Sequence, residues 1–282
     1  MIYKTLGRSG LKASEIGLGC EHLEGLDAKT IHQVVDTALE GGVNILDVFM
    51  SEPNVRRDIG LALKGRRDKV LIQGHFGARW KDGQYGRTRE RKETQFFFED
   101  LLHRLDTDYI DLLLVHQPFG DYYGTYRAME KAYRDGKVRA IGLSNFYDAR
   151  FVDLAENMEI KPAVLQLETH VFSQQTRMRE LIKDYGTRLM AWGPLAQGTD
   201  RIFTNETLKN IGAKYGKTSA QVALNFLTGE GIVAIPKSVH TLRMTENLDI
   251  ESFELTETDQ EMIRKLDTGL SKVDFNDPAM AK

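Results

Sequence analysis

Apolar residues gather into eight short runs, at 15–19, 43–47, 69–74, 109–115, 138–143, 163–167, 187–191 and 231–235, each rich in Val, Ile and Leu. The runs are continuous rather than alternating, as in strands buried on both faces. Between them, apolar residues recur at helical spacing. This predicts helices over 28–40, 53–64, 88–105, 122–135, 147–158, 173–185, 204–214, 218–229, 240–248 and 256–268. Asp27 suits a helix cap, Pro53 a first turn, and Gly41-Gly42, Gly136 and Gly186 suit helix stops. Ahead of all this, I-Y-K-T-L, a G-R-S-G turn and L-K-A-S predict a hairpin. The segment 75–89, H-F-G-A-R-W-K-D-G-Q-Y-G-R-T-R, reads as a loop, and the tail after 270 as irregular.

Strands alternating with helices predict an α/β fold with a parallel sheet. Eight such units predict a (β/α)8 TIM barrel with an N-terminal β-hairpin, a single domain over 1–282. The rival is a doubly wound open sheet, which usually carries a Gly-rich phosphate loop after its first strand. I-G-L-G-C does not match G-x-G-x-x-G.

The barrel gives the strand ends a meaning, because its strand carboxyl ends share the face that carries active sites. Asp47, His75, His116, Ser144-Asn145, Gln166 and Lys237 all stand at or just past such ends. Residues far apart in sequence therefore meet at one mouth.

Composition narrows the partners. The net charge is −3, so no nucleic-acid or anionic-membrane footprint is expected, and small-molecule substrates are. The single cysteine, Cys20, excludes an internal disulfide and a thiolate metal cage within one chain. M-I-Y-K-T-L-G-R-S-G lacks the apolar core of a signal peptide, and no run approaches the ~18 apolar residues of a membrane helix. A cytoplasmic monomer or small homo-oligomer is the expectation.

The chain resembles the aldo-keto reductases almost end to end. Y-K-T-L-G-R-S-G-L-K-A-S-E-I-G-L-G is similar to that family's amino-terminal hairpin and first strand. G-G-V-N-I-L-D resembles the stretch ending in its active-site aspartate, and L-D-T-D-Y-I-D-L-L-L-V-H-Q-P the one ending in its histidine. G-L-S-N-F, V-L-Q-L-E, W-G-P-L-A-Q-G and I-P-K-S-V-H-T-L-R-M-T-E-N resemble its nicotinamide-cofactor segments, in the family's order.

The resemblance implies NADP(H) as cofactor. Ser144, Asn145 and Gln166 would hold the carboxamide, and amides need donors and acceptors in fixed orientation. Trp192 would stack on the nicotinamide, with Pro194 and Leu195 in the same segment. Lys237, Ser238 and Arg243 would clamp the adenosine 2′-phosphate, and Glu246 and Asn247 would meet the adenine. Two cations and a hydroxyl on a loop entering a helix suit a phosphate without any resemblance.

The family reduces carbonyls by hydride transfer while a tyrosine, tuned by an aspartate and a lysine, protonates the oxygen. Asp47 and His116 fall on the aspartate and histidine positions. The tyrosine position of D-T-A-x-x-Y-G is occupied by Glu52, and the lysine ending strand three by His75. A missing general acid costs ~10²–10⁴ in rate, roughly 3–5 kcal/mol. Both replacements are titratable, however. A carboxyl beside Asp47 is favoured in its protonated form by like charge and burial, so Glu52 is expected to donate or accept the proton. An imidazole at 75 would relay it; the alternative reading makes Glu52 a cap for the helix beginning at Pro53.

Alternatives remain. One is other chemistry on the same scaffold: alkene reduction, isomerisation, or an epimerase or lyase step. Another is a catalytically silent NADPH-binding protein. A third reading makes Asp47, Glu52, His75 and His116, with His22, ligands to zinc, manganese or iron. No tight ligand spacing backs that set, and no metal is assigned. Arg79, Trp80, Tyr85 and Arg87 would lie over the mouth and suit a polar or anionic substrate with a flat face.

Overall fold

The structure, a computed structural model, describes the backbone of residues 1–49, 52–81, 84–87, 91–199 and 202–274, and their side chains apart from 78–94. The chain opens with the expected hairpin: β1 (Tyr3–Thr5) pairs antiparallel with β2 (Lys12–Ser14). Eight parallel strands follow. They are β3 (Leu18–Gly19), β4 (Ile45–Asp47), β5 (Leu71–Phe76), then, after an inserted hairpin of β6 (Ala78–Lys81) and β7 (Gln84–Arg87), β8 (Ile110–Val115), β9 (Val138–Ser144), β10 (Val164–Glu168), β11 (Arg188–Trp192) and β12 (Val233–Ile235). The sheet runs β12-β11-β10-β9-β8-β5-β4-β3.

Its two edges meet. Ile16 bridges Ala234 in parallel. Ala234 N–H donates to Glu15 O, Gly17 N–H to Ala234 O and Gly19 N–H to Pro236 O, at 2.8, 2.8 and 3.0 Å. These bonds satisfy backbone groups that an open edge would expose, so the eight strands form the (β/α)8 barrel.

Helices α1 (Ala28–Glu40), α2 (Pro53–Ala62), α3 (Arg91–Arg104), α4 (Tyr122–Arg134), α5 (Asp148–Asn157), α6 (Thr176–Lys183), α7 (Glu206–Tyr215) and α8 (Ser219–Gly229) connect the strands, and α9 (Thr241–Leu248) and α10 (Glu257–Arg264) follow the last one. Local chemistry sets their ends. Asp27 accepts from Thr30 N–H at 2.8 Å at the start of α1, Pro53 opens α2, and Thr218 and Gln221 form a reciprocal cap on α8.

Two apolar layers result. Side chains between the barrel and its helices form the large one, Ile31, Ile59, Tyr126 and Phe151 among them. The smaller one joins Ile45, Leu112, Leu114 and Met190 of the strands to Leu6, Leu11 and Ala13 of the hairpin segment. The hairpin therefore plugs one end of the barrel. Gly7, at φ +51°, marks how close the fit is, since a Cβ there would sit 2.3 Å from Ala163 O. With that end sealed, ligands enter at the other, where β4, β5, β8, β9, β10, β11 and β12 end.

One local expectation changes. The segment after β5 is a two-stranded hairpin, with Trp80 opposite Tyr85, rather than an irregular loop. The Asp82-Gly83 pair in its sequence is a two-residue hairpin signal, and the surrounding charge hid it. The side chains of Arg79, Trp80, Tyr85 and Arg87 lie outside the described residues.

Candidate active site

A cavity of about 810 Å³ opens among the strand ends. Asp47, His75, His116, Ser144, Asn145, Gln166, Trp192, Pro194, Leu195, Lys237, Ser238, Arg243, Glu246 and Asn247 all line it. Of the expected site residues only Glu52 is absent from that lining.

The acid–base corner is built on β4, β5 and β8. Residues two apart on a strand share a face, so Gln73 and His75 both turn inward from β5. His75 Nε2 lies 2.9 Å from Asp47 Oδ1, and Gln166 Nε2 donates to Asp47 Oδ2 at 2.8 Å. Asp47 therefore holds an imidazole on one oxygen and an amide on the other, inside a site where Asp47 and His75 are both almost wholly buried. Gln73 Nε2 stands 3.1 Å from the same His75 nitrogen. If that nitrogen carries the proton shared with Asp47, the Gln73 amide faces it with its oxygen instead, an interchange invisible to heavy-atom positions. His75 Nδ1 is left buried without a partner among the described residues.

Phe49 caps the corner. Its ring centroid is 5.0 Å from His75, edge-on, and 4.5 Å from His116, while the two imidazoles are 5.4 Å apart. Three rings thus wall the cavity beside Asp47. Cys20 also lines it, but burial and the charge of Asp47 push its thiol far up, so it is no nucleophile here. Burial lowers the His22 imidazole, which favours its neutral form. Among the described residues no three His, Cys, Asp or Glu side chains converge on a metal-sized site.

Glu52 stands at the N-cap of α2 but makes no side-chain cap. Its Oε1 accepts from Asn54 Nδ2 at 2.6 Å. Its backbone N–H also faces Glu24, whose carboxyl is pushed up by burial and by the charges of Glu21 and Glu52. The structure brings Asp47, His75 and His116 together and leaves Glu52 on the helix start outside them.

The rest of the cavity is a long donor-lined cleft. Ser144 ends β9, Asn145 follows it and Gln166 lies within β10, all almost fully buried. Trp192 presents its ring from the end of β11, with its Nε1–H bonded to Asn145 Oδ1 at 2.9 Å. At the outer end, Lys237 and Ser238 precede α9 and Arg243 lies in its first turn. Lys237 pairs with Glu21 across the cleft at 3.4 Å, both about half exposed, at 45% and 53%. Such a pair contributes little and is easily exchanged for an anion. Thr218, Ser219 and Ala220, at the start of α8, also line the cleft. Nothing in their sequence distinguishes that start from any capped helix, whereas Gln73 was findable from the two-residue period of β5.

Glu168 and His170 turn away from the cleft. They pair at 3.2 Å in a buried position, and Glu168 Oε2 accepts from Lys272 N–H, which ties the C-terminal segment down.

The barrel and its cleft define a class of enzyme scaffold, and comparison with known proteins gives the family. The aldo/keto reductase family model matches residues 15–268, and the chain belongs to that family. A glyoxal reductase from Bacillus subtilis is 37% identical over 263 residues, covering 92% of this chain and 90% of its own. The NAD(P)H-dependent D-xylose reductase of Scheffersomyces stipitis is 32% identical, over 96% and 95%. Among solved structures, MGS-M4, an aldo-keto reductase from a Medee basin deep-sea metagenome library, superposes with a TM-score of 0.85 at 32% identity, over 96% and 97%. A Gox0644 variant in complex with NADPH gives 0.84 at 25% identity, over 98% of each chain.

Proposed function

We propose that this protein is an NADP(H)-dependent oxidoreductase acting on a carbonyl or alcohol of a small polar metabolite, with Asp47, His75 and His116 as its acid–base set. The observation that carries the reading is that one cavity is lined by those three residues, by Ser144, Asn145, Gln166 and Trp192, and by Lys237 and Arg243. The relatives' names point the same way: a glyoxal reductase, xylose reductases and a structure holding NADPH.

The residues suit the cofactor chemically. Amide and hydroxyl groups at the buried end match a carboxamide, and the aromatic face of Trp192 matches a flat ring. Lys237, Ser238 and Arg243 at the solvent end match a phosphate, with Pro194, Leu195, Glu246 and Asn247 between and beyond. A reduced nicotinamide, when bound, supplies two electrons and a hydrogen to the carbonyl carbon. His75 then holds the proton destined for the oxygen. Asp47 Oδ1, 2.9 Å from Nε2, holds the ring in its orientation. His116 orients the substrate oxygen, and Phe49 excludes water from the pair of imidazoles.

Among the described residues no phenol or lysine lines this corner, so turnover of unselective aldehydes is expected to be slow. The test has two parts. Fluorescence titration with NADPH reports binding, and its absence would end the reading at the cofactor. NADPH oxidation with glyoxal and D-xylose then reports chemistry. Rates typical of an ordinary reductase would contradict the altered acid–base set, and slow turnover supports it.

A further inference from the structure

Gln73 is fully buried, yet it does not line the cavity. In the barrel register it stands beside Asp47 of β4 and Leu112 of β8. Lying two residues before His75, it shares that residue's face of β5. The neighbouring side chains Ile45, Leu112 and Leu114 belong to the smaller apolar layer. A leucine or methionine would suit that layer, and an amide buried there is unfavourable unless it bonds. Its amide stands 3.1 Å from His75 Nε2, and among the described residues its side chain has no other hydrogen-bond partner.

Two groups therefore converge on Nε2: Asp47 Oδ1 from β4, at 2.9 Å, and the Gln73 amide from β5 itself. An ionised carboxylate only accepts, so it calls for a proton on Nε2, and the Gln73 carbonyl is then the amide end that faces the same N–H. One bond leaves an imidazole free to pivot about its Cβ–Cγ axis. A second contact, from another strand, removes that freedom. A neutral imidazole with its proton on Nε2 carries a lone pair on Nδ1, and Nδ1 has no partner among the described residues.

We propose that Gln73 is a positioning residue: with Asp47 it keeps a proton on His75 Nε2 and leaves Nδ1 as the nitrogen that exchanges the reacting proton. This rests on the reading of His75 as an acid–base residue. In carbonyl reduction the ring enters protonated on both nitrogens. The Nδ1 proton passes to the oxygen while hydride from the reduced nicotinamide reaches the carbon. The ring is left neutral with its proton on Nε2, and water restores the other.

The chain has seven histidines. Labelling them with ¹⁵N and recording two-bond ¹H–¹⁵N correlations gives the tautomer of each ring, and the set missing from His75→Gln belongs to His75. In the ligand-free protein the neutral His75 ring should show Nε2–H and a bare Nδ1. Gln73→Met keeps the length of the side chain and removes the amide. It should broaden or split the His75 signals as the ring gains a second orientation, without lowering Tm, since an apolar side chain suits the layer. With glyoxal, kcat should fall about tenfold, as misplacement of a reacting group costs rate. NADPH affinity should change less than about twofold, which separates positioning from binding. A neutral ring protonated on Nδ1 in the unsubstituted protein would overturn the proposal, and that spectrum needs no variant at position 73. So would Gln73→Met with His75 signals and kcat unchanged, or with a lowered Tm and unchanged His75 signals, the mark of a structural role alone. If His75→Gln loses no turnover, the acid–base reading of His75 fails, while the spectra still decide which nitrogen Gln73 and Asp47 hold protonated.

Discussion

At the scale of single residues, the proposed acid–base chemistry turns on two titratable positions, 75 and 52. His75 sits 2.9 Å from Asp47, while Glu52 is occupied with Asn54 at the head of α2. The cause is local. Pro53 fixes the backbone at the first turn of α2, and the Glu52 side chain spends its acceptor on the neighbour two residues on. A general acid contributes ~10²–10⁴ in rate, so the two assignments separate cleanly in turnover with glyoxal at saturating NADPH. His75→Gln keeps a polar amide but cannot carry a proton, and kcat is expected to fall by ~10²-fold or more. Glu52→Gln is expected to lose at least ten times less. Equal losses would return the proton to Glu52. Both positions were legible in the sequence as candidate acid–base residues. Which of them reaches Asp47 was not, because that depends on where the first turn of a helix leaves its cap, a matter of three-dimensional direction rather than spacing.

At the scale of elements, strands and helices were legible nearly throughout, since buried parallel strands are written as unbroken apolar runs and most helix ends carry Asp, Pro or Gly. Their edges moved by a few residues, as for α6, expected over 173–185 and observed as Thr176–Lys183. The miss was the β6–β7 hairpin, whose alternation is masked by charge. Contacts between elements were not legible, and one of them titrates. Asp259, at the third position of α10, accepts from Thr256 in its own cap and from Lys214 and Tyr215 of α7. Burial opposes ionisation, but those bonds outweigh it and hold the carboxyl at about 2, against 3.8 for an ordinary aspartate. The folded value lies below the unfolded one. The stabilisation is therefore complete above about pH 4 and drains away as pH falls toward 2. It amounts to about 2 kcal/mol. Asp259→Asn should lose most of that at neutral pH and flatten the acid limb, as measured by urea midpoints from pH 5 to 3. A wild-type acid limb in the variant would show that α7 and α10 are held by packing alone.

At the scale of the molecule, the barrel converts sequence distance into proximity. The seam between the segment at Ile16 and β12 brings Gly19 and Glu21 against Lys237, and the hairpin end is sealed, so ligands enter at the strand ends. The cleft runs from the buried Ser144 hydroxyl and Gln166 amide to the cations at Lys237 and Arg243, so its two ends should act separately on one ligand. Any ligand that binds only the folded state raises stability, by about 2.7 kcal/mol at a hundred times Kd. For a chain of this size that is a rise of several degrees in Tm. If Lys237 and Arg243 hold a phosphate on the adenosine, NADP⁺ should raise Tm clearly more than NAD⁺ at equal concentration. Arg243→Ala combined with Lys237→Ala should bring the NADP⁺ shift down to the NAD⁺ value and leave the NAD⁺ shift nearly intact. Because Lys237 is already paired with Glu21 only weakly, the double substitution should change the Tm of the free protein by no more than about 1 °C. Equal shifts for the two nucleotides in the unsubstituted protein would remove the phosphate from that end of the cleft. They would leave the buried end, with Ser144, Gln166 and Trp192, as the part that recognises the ligand.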